Sequence, residues 1–191
     1  MSQNILIAIQ EKLKYPPLQK MDANRRDTET SESIKEDHFS QSAIPSVLTA
    51  LCQYCKTDAG IESIIENNSS SQWLTIVLGN KKQAVIGKIA GYSEETPSIV
   101  EDKLNAILNT AISNIKEMAG EGKDTQLIKL YLARQRNNIL PYLPSALQMG
   151  ELLDDSTLDD NTHKMGGPLS SIINALGNQF SDGQVTKESS L

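Results

Sequence analysis

Two cysteines, Cys52 and Cys55, stand in the spacing used by thiol–disulfide chemistry, and they are the only two in the chain. Such a pair becomes a redox centre when it opens a helix behind a strand, because a helix N-terminus lowers a thiol pKa. Here it lies at the far end of a helical run. Ile44, Val47, Leu48, Leu51, Cys52 and Cys55 recur at i, i+3, i+4, i+7, i+8 and i+11, so both thiols share the apolar face. Zinc would need two further ligands, and neither His38 nor His163 has finger-like spacing. The pattern predicts two buried thiols.

Oxygen ligands gather in one place. Asp154, Asp155, Asp159 and Asp160, with Asn161 and His163 close behind, offer donors to a divalent cation. Calcium takes about six to eight oxygens, yet the alternating D-x-D-x-D-G order of an EF-hand loop is absent. A solubilising loop is the plainer reading. A metal-dependent enzyme or divalent-ion-binding protein using those four aspartates is the alternative. "HKMGGP", residues 163–168, lacks the spacing of a phosphate loop and a strand before it, and Ser170 and Ser171 lack a G-x-S-x-G context. With no motif setting a base beside a nucleophile, no catalytic residue is predicted, and no cofactor beyond that cation.

One stretch has the outline of a DNA reader. "VIGKIAGYSEETPSIVEDKLN", residues 85–105, reads as helix, turn and helix. A recognition helix presents basic or amide side chains to phosphates and base edges. Here Glu94, Glu95, Glu101 and Asp102 face the single cation Lys103, and Lys81, Lys82 and Lys88 do not reverse that sign. The net charge of −6 adds to the repulsion, so no nucleic-acid partner is expected. The stretch is predicted to be a helical hairpin that turns at Gly91-Tyr92.

The elements that must carry these residues follow from composition and period. The 191 residues are 38% apolar and only 4% aromatic, so the core is aliphatic, a palette suited to helix-on-helix packing. No run approaches about 18 uninterrupted apolar residues, so no membrane span is expected. The opening "MSQNILIAIQEKLKY" lacks a basic leader and a small-residue cleavage site, so it reads as an amphipathic helix and the cytoplasm is the expected compartment.

The predicted fold is all-α, a bundle or array of roughly six to nine helices. An N-terminal helix and its Pro16-Pro17 stop occupy residues 1–19, and residues 20–36 form a flexible polar connection. A helical domain spans 37–180. In it Pro45 opens a helix, Thr57 or Asp58 caps a second, and Gly79-Asn80 closes a third. Val100, Leu104, Ile107, Leu108, Ala111, Ile112, Ile115 and Met118 make a continuous stripe on a long helix. Asp124 caps a helix carrying Leu127, Leu130, Tyr131 and Arg134, which Pro141 and Pro144 interrupt. Pro168 opens a last helix, and residues 181–191 are a tail.

Residues 73–117, "WLTIVLGNKKQAVIGKIAGYSEETPSIVEDKLNAILNTAISNIKE", resemble the helical core of the YidB-like family of bacterial proteins. Leu78-Gly79-Asn80-Lys81 matches that family's glycine turn and Gly91-Tyr92-Ser93 its glycine-serine turn. Residues 99–118 match its long helix, within a core of about 71–119. The resemblance implies an all-α array and a bacterial source, and supplies no catalytic residues. It leaves function open, and the abundance of amphipathic helices makes the expected role a non-enzymatic helical interaction or scaffold protein with an unidentified protein partner. Self-association into a homo-oligomer is one form of that role, and Ala106, Ala111 and Ala119 would let helices approach closely.

Overall fold

Three short polar side chains start helices where the sequence places them. In the computed structural model, which describes residues 4–21, 37–67, 72–120, 124–155 and 158, the helices are α1 (Ile5–Leu13), α2 (His38–Tyr54), α3 (Asp58–Glu66), α4 (Trp73–Leu78), α5 (Lys82–Ser93), α6 (Pro97–Ala119), α7 (Thr125–Ile139) and α8 (Met149–Leu153). Asn4 caps α1 by accepting from the Leu6 N–H at 3.0 Å. Thr57 caps α3 through the Gly60 N–H at 3.1 Å, and Asp124 caps α7 through Gln126 and Leu127. Each cap satisfies donors that the first helical turn leaves over. Gly79 ends α4 at φ +54°, a conformation glycine adopts without strain. The described residues hold no strand, and the all-α class is as expected.

Helix α2 is the axis of the fold. Every residue from Ser40 to Cys52 is buried, and α1, α4, α5, α6 and α7 all pack against it. Pro45 predicts the start of this helix, but the helix begins at His38, about two turns earlier. Pro45 therefore sits inside a helix, where it removes the bond that the Gln41 carbonyl would accept. Packing on all sides overrides that local penalty. The long helix α6 packs as its stripe requires: Val100, Leu104, Ile107, Leu108, Ala111, Ile112 and Ile115 are all buried, and Met118 at the stripe's end is partly buried against them.

Two further expectations are corrected. The hairpin between α5 and α6 does not turn at Gly91-Tyr92. Helix α5 runs on to Ser93, whose hydroxyl donates to the Ile89 carbonyl at 2.8 Å, and Glu94 takes the left-handed conformation at φ +57°. Tyr92 packs against the core, which draws the helix past the glycine. On α7 the buried face is Ile128, Tyr131, Leu132, Gln135 and Ile139. Of the four residues read as marking that helix, only Tyr131 is buried.

All described residues belong to one compact unit, Met1–Asp159, so α1 is part of it. Its exit strap is tied down. The Gln41 side chain accepts from the Gln19 N–H at 2.8 Å and donates to the Gln19 and Tyr142 carbonyls, and the Met21 N–H donates to the Pro141 carbonyl. Residues 22–36 of the expected connection, the helix expected at 168–180 and the tail at 181–191 lie outside the described residues. Among the described residues no helix is long and apolar enough to cross a membrane.

Candidate functional site

The thiols are placed as their spacing predicts. Cys52 and Cys55 are buried near the end of α2, and the Cys52 Sγ lies 3.8 Å from the Leu132 carbonyl oxygen. Burial pushes both thiols up to about 12, and the weaker opposing pull of Arg136 and Lys56 on Cys52 does not offset it. At neutral pH both remain protonated, the form least suited to attack or metal binding.

Two of the four candidate metal-binding aspartates are placed, and lysines hold both. Asp154 lies 2.6 Å from the Lys81 Nζ. Asp155 lies 2.9 Å from the Lys56 Nζ and 3.9 Å from Arg136. These pairs fasten the turn after α8 to the ends of α2 and α5, and the Gln53 side chain adds a bond to the Leu153 carbonyl at 2.7 Å. Asp159 and Asp160 lie outside the described residues. Among the described residues, no three His, Cys, Asp or Glu side chains gather as a metal site would require.

The acidic turn of the α5–α6 hairpin is partly spent on bracing. Lys103 pairs with Glu95 at 2.6 Å, and Lys82 with Glu101 at 2.5 Å. The Lys103 ammonium also sits 4.5 Å from the centre of the Phe39 ring, itself 5.9 Å from the Tyr15 ring. Burial raises the Tyr15 hydroxyl pKa, with Asp37 and Glu95 adding to the effect. Beside this cluster an open groove of about 650 Å³ runs along α1, lined by Ile7, Glu11, Lys14, Tyr15, Pro16 and Pro17. Sequence reasoning missed it, because it forms where the chain doubles back after α1. The Gln10 side chain holds that reversal with a 2.6 Å bond to the Pro16 carbonyl.

The outer face of α7 is the other feature the sequence reading did not place. Leu127 is 47% exposed and Leu130 52% exposed. They are two of only four large apolar side chains left this open among the described residues, and the only two that share a helix. Arg134 follows at i+7 and is exposed. Helix α7 carries Lys129, Arg134 and Arg136 but no acidic residue, within a chain of net charge −6. The stripe was visible as i, i+3, i+7 spacing. The competing stripe from Ile128 to Ile139 wins the core because it carries more apolar positions.

No protein family, curated protein or solved structure matches this chain.

Proposed function

We propose that this chain is a non-enzymatic helical interaction module, a bacterial cytoplasmic scaffold of the YidB-like kind, which receives a protein partner on the outer face of α7. The exposed pair Leu127 and Leu130 carries the reading. Apolar side chains set together on one exposed helix edge are a common signature of a surface that another protein covers. Arg134 beside them supplies a polar contact of the kind enriched at protein interfaces.

A photo-crosslinking amino acid tests this when placed at Leu130 and, as a control, at the exposed Gly87 of α5, where nothing lies within 4 Å of an added Cβ. In the cells that make the protein, position 130 should give a discrete protein adduct and position 87 none. The absence of any adduct at 130, or equal adducts at both, would sink the reading.

A further inference from the structure

We propose that the cleft between α1 and α6 binds a small zwitterion, a free amino acid or a short peptide, with its ammonium against Glu11 and Glu117 and its carboxylate against Lys12. None of these residues belongs to α7, so the site stands or falls separately from the docking reading.

Two helix faces converge on the cleft. From α1 come Ala8, Glu11 and Lys12, at i, i+3 and i+4, and from α6 come Thr110, Asn114 and Glu117, at i, i+4 and i+7. Together they line about 320 Å³. That is the share of roughly ten water molecules, enough for a molecule of amino-acid or dipeptide size.

The buried part of the lining has an unspent polar group. Thr110 is only 9% exposed, and its hydroxyl makes no hydrogen bond among the described residues. A helical threonine can spend its hydroxyl on the carbonyl one turn back, and Thr110 does not. Nor is its oxygen among the sealed side-chain atoms that lack a partner, which belong to Ser46, Thr49, Gln53 and Asn109. It therefore opens onto the cleft that Thr110 lines. Beside it the Asn114 Oδ1 accepts from the Tyr131 hydroxyl at 3.2 Å, which orients the amide and leaves its N–H groups to donate.

Charge selects the ligand. Glu11 and Glu117 bring two negative charges and Lys12 one positive, and among the described residues none of the three enters an ion pair. An anion would meet two carboxylates, and a simple cation would meet the lysine. A molecule that carries both charges answers both. Two carboxylates and an ammonium are also a poor oxygen set for a divalent cation, which takes about six or more oxygens. The Thr110 hydroxyl can accept from the ligand's ammonium or donate to its carboxylate, and the Asn114 amide can donate to that carboxylate.

Backbone-amide NMR on the full chain at constant ionic strength tests the proposal. L-alanine and glycylglycine are the zwitterions, with butylammonium and butyrate as single-charge controls, each taken to about 50 mM to cover weak binding. At least one zwitterion should give saturable shifts centred on Ala8, Thr110 and Asn114, about tenfold tighter than either control. Whichever zwitterion binds tighter identifies the source as a free amino acid or a peptide. Glu117→Gln should weaken that binding by about tenfold, the size of one charged hydrogen bond. Lys12→Gln should weaken it too, while raising the affinity for butylammonium, a crossover that a merely structural role would not produce. Both side chains are exposed, so folding is not at stake. Thr110→Val should cost about threefold, as loss of a neutral hydrogen bond does. No saturable shift at the cleft with either zwitterion, equal binding by butylammonium, or binding indifferent to Glu117→Gln and Lys12→Gln overturns the proposal.

Discussion

Helix α2 buries what proteins usually leave outside, and α7 leaves outside what they usually bury. Ser40, Gln41, Ser42, Ser46 and Thr49 are all buried along α2. Leu127 and Leu130 stand about half in water along α7. The difference lies in use. On α2 the Gln41 amide does the work of a strand edge, pairing with both backbone groups of Gln19 and reaching the Tyr142 carbonyl, so one polar side chain joins three segments. Ser42 spends its hydroxyl on the carbonyls of His38 and Phe39. On α7 the inner stripe already fills the core, and the fold asks nothing of the outer leucines.

The sharpest way to separate the two faces of α7 is Ile128→Ala, one residue from Leu127 and 1% exposed. Emptying a closed aliphatic site costs about 2–5 kcal/mol, read as a shift in the urea unfolding midpoint. A loss below 1 kcal/mol would mean that the inner face is not the core face.

On α2, Gln41→Ala removes all three clamp bonds and leaves the half-buried backbone groups of Gln19 and Tyr142 without them. The expected loss is about 1–2 kcal/mol, since half-buried polar groups recover part of their hydrogen bonding from water. Faster amide exchange at Gln19 should accompany it. A neutral result would show that the strap is held by other contacts.

These two helices also show how much could be read beforehand. The amphipathic period of α6 stands out because one apolar face meets one polar face, and seven of its buried residues were legible, though not Thr110. Helix α2 buries its polar residues as well as its apolar ones, so its first two turns are assigned to no element and Pro45 reads as a beginning. The period of α7 supports two overlapping stripes, and only the positions of α2, α3 and α6 around it decide between them. Caps at Thr57 and Asp124 are local chemistry and were legible. The Phe39–Lys103 contact joins residues far apart in sequence, and the groove beside α1 depends on how the chain folds back over residues 7–17, so no spacing rule reaches either.

A smaller effect comes from pH. Cys52 and Cys55 ordinarily titrate at 9.0, and burial raises both to about 12. Above pH 9 the unfolded chain gives up these protons more readily than the folded one, so stability falls as pH rises through that window. The slope should approach roughly 1.4 kcal/mol per pH unit for each thiol. Cys52→Ala with Cys55→Ala should flatten it, even where the two cavities lower stability at neutral pH. An unchanged slope would show that the thiols are not held neutral by burial.

The most direct measurement compares the urea unfolding of the wild type with that of the double variant Leu127→Ser, Leu130→Ser, at a concentration low enough that self-association adds nothing. If the fold makes no demand on these leucines, the two curves should agree to within about 0.5 kcal/mol per substitution, as for surface positions outside any packed contact. A loss of several kcal/mol would place Leu127 and Leu130 in the core. It would contradict the claim that α7 keeps them for a partner.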